Sequence, residues 1–271
     1  MKIKTWLKTK GDKLFNQYYQ VSIAVSTWVG DTKYRKRKPS ITYDRVNQMK
    51  EKLQPGDILF ERENWFMSNL FLPGFWKHGI IYVGTAADLK RLGLAQHPLI
   101  APHMADYAKP DHLGFEHRLL EAISDGVVMS SMEEATDADY IAALRPRLTE
   151  AQLKEMIITA FSHFGKPYDF QFDFQTADKI VCTELLYRAF KKSLSFNLRK
   201  IVGKWACPAD DILRKFIAER NTPNQEMDFV FFLDSDPKTQ ITSFKDEKAL
   251  CDSLKRPSAD FLLSQEEAPR K

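Results

Sequence analysis

The sequence predicts an α+β fold. Three observations carry that reading. Strand-like runs come first in the chain, helical stretches follow, and one last strand closes the series, which is not the alternation of a βαβ protein. An Asp-Gly pair (Asp125-Gly126) sits between two such runs and signals an antiparallel hairpin. Finally, 44% hydrophobic content over 271 residues is enough for a full-sized core, in one domain with extensions.

Residues 3–24 place Ile3, Trp6, Leu7, Leu14, Phe15, Tyr18 and Val21 on a roughly helical stripe, interrupted at Gly11. Docking on the body of the protein is the first expectation for it. The other is a membrane surface, with its lysines at the headgroups. A basic linker over 30–50 leads into a helix over Tyr43–Leu53. The compact part opens at the turn pair Pro55-Gly56, with a short strand over Asp57–Glu61. Asn64–Trp76 is rich in large apolar side chains. His78–Gly84 is a β-branched and aromatic run, read as a buried strand with His78 at its entrance.

Residues 85–116 read as an irregular insertion, because Pro, Gly and His are scattered through them. Arg118–Ile123 and Val127–Met132 are the two arms of the hairpin, and Tyr140–Leu144 is a further strand stopped by Pro146. Thr149 and Gln152 have capping-box spacing, and the helix they open ends at Gly165 before Pro167. Asp178–Phe190 and Pro208–Ala218 are the next helices, and Asp228–Leu233 is the closing strand. From Asp234 the chain is charged and weakly periodic, and a mobile tail is expected.

The net charge of +4 conceals an asymmetry: residues 1–50 carry +9, leaving −5 for the remainder. The densest run, Lys33–Lys38, reads first as a solvated linker, then as a contact for an anionic membrane surface, and last as a nucleic-acid contact. It lacks interleaved stacking aromatics, so no nucleic acid is expected as partner. No apolar run approaches the roughly 20 residues that span a bilayer. The first residues lack the continuous apolar stretch of a secretory signal. Cys182, Cys207 and Cys251 are odd in number and contain no CxxC. Neither a disulfide framework nor a thiolate zinc site is indicated, and the expected setting is cytoplasmic, with membrane association at the basic end.

Apolar residues at Val181, Leu185, Leu186, Ala189 and Phe190 give the Cys182 helix one buried face. With Asp178 as N-cap, Cys182 falls in the first turn, where unpaired N–H groups and the helix dipole favour a thiolate. A cysteine nucleophile needs a base, and the base needs an orienting group. Of the six histidines, His97, His103, His112 and His117 lie in or beside the insertion and His163 near a helix end. Only His78 enters a core strand. Glu121 lies within a strand between apolar neighbours and needs a partner if it faces inward, whereas Asp125 is explained by its turn. The histidines lack zinc-site spacing, so no metal is expected.

Taken together, the succession Pro55–Phe60, His78–Gly84, Leu120-Glu121-Ala122 with Gly126-Val127, Lys166-Pro167-Tyr168-Asp169 and Val181–Leu185 resembles the permuted papain-like cysteine hydrolases of the NlpC superfamily, specifically the YiiX/YebB-like group. The resemblance spans about 53–233. It divides the chain into a basic helical extension and linker (1–52), the hydrolase domain (53–233) and a charged tail (234–271). It implies a circularly permuted papain-like (NlpC-like) fold, an antiparallel sheet or partial barrel packed against helices. It also implies Cys182 as nucleophile, His78 as base and Glu121 as the group orienting His78, with no cofactor. Tyr168, in the Pro-Tyr-Asp motif, is implied to line the site, with a packed aromatic as the other reading. Lys77 and the long insertion depart from the pattern.

The expected activity is a cysteine hydrolase, acting on a small peptide-like amide or a lipid acyl group. Trp65, Phe75 and Trp76 are expected either to wall an acyl pocket or to be core. The alternative is a non-catalytic module that binds a membrane or a partner through the basic N-terminus.

Overall fold

The computed structural model describes residues 40–64 and 74–258, apart from Gln171, Asp173, Thr176, Ala177, Val202, Gly203, Pro237, Lys238 and Gln240. The N-terminal stripe, the basic run, Trp65 with most of its aromatic stretch, and residues 259–271 lie outside them.

The elements run α1 (Tyr43–Lys50), β1 (Ile58–Arg62), β2 (His78–Tyr82), α2 (Ala86–Arg91), a 3-10 turn (Ala101–His103), α3 (Met104–Tyr107), β3 (His117–Ile123), β4 (Gly126–Ser131), α4 (Met132–Ala135), β5 (Tyr140–Pro146), α5 (Glu150–Phe161), α6 (Cys182–Phe190), β6 (Arg199–Ile201), β7 (Lys204–Ala206), α7 (Ala209–Glu219), β8 (Met227–Ser235), β9 (Thr242–Lys245) and α8 (Glu247–Ser253). Seven strands form one antiparallel sheet in the order β4-β3-β2-β1-β5-β8-β9, and β6 and β7 form a separate ribbon. The α+β prediction describes this architecture. No helix among the described residues is long and apolar enough to cross a membrane.

The sheet is covered on both faces, which is why its central strands are almost continuously apolar rather than alternating. Ile58, Phe60, Ile81, Leu120, Ala122, Ala142 and Leu144 point to one face. There Ile157 and Phe161 of α5, Leu185, Leu186 and Phe190 of α6, and Leu213 and Phe216 of α7 close the larger core. Leu59, Ile80, Leu119, Ile141 and Ala143 point the other way, onto Val46 and Met49 of α1 and Met132 of α4. The sequence-expected helix 43–53 therefore belongs to the packed body. Ser40 joins it too, through hydrogen bonds to Ala138 O and Asp139 Oδ1.

Two regions differ from expectation. Residues 85–116 are ordered by short helices. Thr85 caps α2 reciprocally with Asp88, and Tyr107 is buried, with its hydroxyl on Gly84 O. The described part of the expected tail is also built in: β9 pairs with the end of β8, and Leu250 and Leu254 enter the larger core. Sequence periodicity missed both because their apolar residues are sparse and find their partners at long range.

Two local predictions, the Thr149–Gln152 capping box and the Gly126 turn, hold. Thr149 N–H donates to Gln152 Oε1 at 2.9 Å and Gln152 N–H to Thr149 Oγ1 at 3.3 Å, so α5 begins where its capping box places it. Gly126, at φ +106, turns the β3–β4 hairpin, and a Cβ there would meet Lys166 O at 2.3 Å. That close approach brings the Lys166–Asp169 segment against the hairpin, through Val127 N–H on Lys166 O at 2.8 Å.

Candidate active site

His78 opens β2, between β3 and β1. Its entrance is held from two sides. The buried Arg62 guanidinium donates to Phe75 O at 2.7 Å and lies over the Phe75 ring. The Asp210 carboxylate of α7 accepts the N–H groups of Phe75 and Trp76, at 3.2 and 2.9 Å. Gly74 makes room for that carboxylate, since a Cβ would lie 2.4 Å from Asp210 Cγ. The four-residue approach to His78, Gly74 to Lys77, is thereby fixed to β1 and α7 rather than left as a loop.

On the far side of β2, Glu121 of β3 reaches the ring. His78 Nε2 and Glu121 Oε2 are 2.7 Å apart, and the glutamate is almost wholly buried. A carboxylate enclosed this way needs such a partner. With Nε2 engaged, Nδ1 is the ring nitrogen open to another group, and the group beside it is Cys182.

Helix α6 can come this close because residue 79 is glycine. A Cβ at Gly79 would stand 2.5 Å from Leu186 Cδ1. The N-cap of α6 is Val181, not Asp178, and no side chain caps it; the Val181 N–H instead goes to Glu184 Oε2 at 3.3 Å. Valine has no oxygen to occupy the first-turn N–H groups, so they remain available at the sulfur. Glu184 is also paired to Arg188, and it is a helix-anchoring residue.

Burial works to raise the Cys182 thiol. The His78 charge and hydrogen bond, with the N–H groups of Gly79 and Thr183, outweigh it and bring the thiol below its ordinary value. Burial likewise works to lower His78, but the Cys182 charge, the Cys182 hydrogen bond and Glu121 hold it well above the usual histidine range. Both shifts favour a thiolate–imidazolium pair.

Tyr168 is half-buried beside this helix start. It bridges to Ile180, and Ile180 N–H donates to Pro167 O, so the Pro-Tyr-Asp segment runs alongside the stretch that leads into Cys182. Its ring packs on Phe170 and Phe172. Of the two readings for Phe75 and Trp76, pocket wall or core, the structure gives core. They are 0% and 1% exposed, in mutual edge contact, with Trp76 Nε1 on Ser253 Oγ at 3.0 Å, and they offer no surface to a ligand. Trp65 is outside the described residues.

Sequence reasoning missed Asp210 and Glu61. Asp210 acts 134 residues away in sequence from the N–H it accepts, and nothing local marks it. Glu61 sits opposite His78 in the β1–β2 register. Burial pushes its carboxyl up to about 8, against the opposing charge of His78, with Glu121, Glu63 and Asp137 adding to the rise. Among the described residues no group of three or more His, Cys, Asp or Glu is placed to hold a metal ion.

A family profile described as "Permuted papain-like amidase enzyme, YaeF/YiiX, C92 family" matches residues 52–238. A solved structure described as metalloprotein yiiX from Escherichia coli O157:H7 is similar at 15% identity, with a TM-score of 0.39, over 72% of this chain and 97% of that one. No curated protein matches.

Proposed function

The chain belongs to the permuted papain-like amidase family, and on that premise we propose that it is a cysteine hydrolase working through Cys182, His78 and Glu121. The observation that carries this reading is the single cluster they form: a thiol brought below its usual value by the neighbouring imidazole, and that imidazole bonded at 2.7 Å to a buried carboxylate.

The Cys182 thiolate attacks the carbonyl carbon of an amide or acyl ester. A C–S bond forms, and the carbonyl π pair moves to oxygen. The Cys182 backbone N–H, at the uncapped start of α6, donates to that oxyanion. Collapse of the intermediate expels the amine or alcohol, which takes its proton from the His78 imidazolium. Neutral His78 then takes a proton from water, and the hydroxide equivalent attacks the thioester carbonyl. The acid leaves and the thiolate–imidazolium pair is restored. Glu121 holds the ring with Nδ1 towards sulfur and favours its charged form.

Tyr168 lines the approach to the sulfur from the Pro-Tyr-Asp segment. The substrate is a small peptide-like amide or a lipid acyl group. An anionic membrane is the proposed setting for the basic residues 1–50.

The test is the rate of Cys182 alkylation by iodoacetamide against pH. The thiolate is the reacting form and its value is lowered. Reactivity is therefore expected to persist well below pH 8.5, the ordinary thiol value, and to disappear only as pH falls through the lowered value. In His78→Ala the rate near pH 7 falls about 10-fold, because an ordinary thiol is only a few per cent ionised there. Glu121→Ala gives a smaller loss. A Cys182 that reacts no faster than a free thiol, or that is indifferent to His78, rules out the mechanism and leaves a binding module on the same fold.

A further inference from the structure

His78 has a second carboxyl beside it. In the β1–β2 register Glu61 is directly opposite His78, and Lys77 N–H donates to Glu61 O at 3.2 Å, which ties the two strands together at this point. Directly opposed residues of an antiparallel pair point to the same face. Glu121 reaches His78 from the other neighbouring strand. The imidazole is therefore flanked by Glu61 from β1 and Glu121 from β3, with Cys182 arriving from α6.

The two carboxyls are not equivalent. Glu121 is bonded to the ring at 2.7 Å, whereas Glu61 faces it across the strand pair with its carboxyl desolvated. Two carboxylates around one ring cannot both ionise as easily as one.

We propose that Glu61 is a positioning residue for His78, whose own proton decides whether the ring is faced by one anion or by two. This rests on the catalytic role given to His78 above. The charged groups around the pair are Glu121 on β3, Cys182 on α6, Glu63 just beyond β1 and Asp137 before β5, and each of the last two adds negative charge.

The Glu61 carboxyl is pushed up to about 8 by burial. At neutral pH it keeps its proton, is uncharged, and leaves Glu121 as the anion on the ring. Above that value it ionises and adds a second anion, which favours the charged imidazolium and holds it to higher pH. A glutamine at position 61 imitates the protonated form at every pH. Its effect is therefore confined to the alkaline side.

The experiment follows the His78 ring by NMR titration in the full chain, assigned by its absence in His78→Ala, together with the pH profile of Cys182 alkylation. In Glu61→Gln the His78 midpoint should fall by about 0.5–1 pH unit, while the acid side of the alkylation profile superimposes on that of the native chain. Glu61→Ala should move the midpoint in the same direction. An unmoved His78 midpoint in both variants overturns the proposal. So does an equal displacement of the acid and alkaline sides, which marks a purely structural role. The hydrolase reading fails separately, through a Cys182 that does not depend on His78, and a Glu61 effect on the ring would survive that failure.

Discussion

Cys182 and Cys207 are both buried thiols close to a helix start, yet they are driven in opposite directions. Cys182 is the first residue of α6 and falls below its ordinary value. Cys207 lies two residues before α7, and burial, aided by the Asp211 charge, pushes it up to about 12. Closeness to a helix start is therefore not enough to activate a thiol in this protein. Desolvation acts against both, and Cys182 escapes because an imidazole and two backbone N–H groups meet the sulfur. Cys207 has a carboxylate nearby instead, with Arg199 opposing it only in part.

The comparison breaks first at the level of turnover. Cys182→Ala should abolish hydrolysis of any amide or ester substrate, by about 1000-fold or more, and Cys207→Ala should leave the rate within about 2-fold. Equal losses in the two variants would mean that the thiols differ in packing and not in function. Mass spectrometry of the native chain after brief alkylation at pH 7 should correspondingly find label on Cys182 and none on Cys207.

Asp210 sharpens the contrast, because it lies near Cys207 in sequence but serves the other thiol's partner. Asp210→Ala leaves the N–H groups of Phe75 and Trp76 without their acceptor. The expected loss is about 2 kcal/mol of stability, read as a lower denaturant midpoint at unchanged slope. A midpoint equal to the native one would mean that the approach to His78 is held by Arg62 alone. The smallest effect belongs to Asp211→Asn. Removing that charge should bring Cys207 down slightly and raise its alkylation at pH 9 by about 2-fold, while leaving it silent at pH 7. Desolvation is the larger cause, and no substitution at Asp211 removes it.

The legible parts of the fold are those with a local signal. Thr149 and Gln152 mark the start of α5 because a capping box is complete within four residues. Asp125-Gly126 marks the hairpin because only a left-handed residue turns it there. The Asp178 cap was misplaced for the complementary reason. A good capping residue stands nearby, but the bridge between Ile180 and Tyr168 extends the chain up to Val181 and delays the helix to Cys182. Phe75 and Trp76 could be read as pocket or core with equal right, since composition does not tell which side of a wall an aromatic faces.

By itself, the sequence determined α1, β1 to β5, α5 to α7 and β8, and the succession His78, Glu121, Cys182, because periodicity, turn residues and short motifs are properties of neighbouring positions. Only the tertiary structure decided that Arg62 and Asp210 clamp the entrance to His78, that Gly79 admits the Cys182 helix, that β9 and α8 complete the body, and that Glu61 stands across from the imidazole. Those are contacts between residues far apart along the chain. They follow from register and packing, which no single stretch of sequence contains.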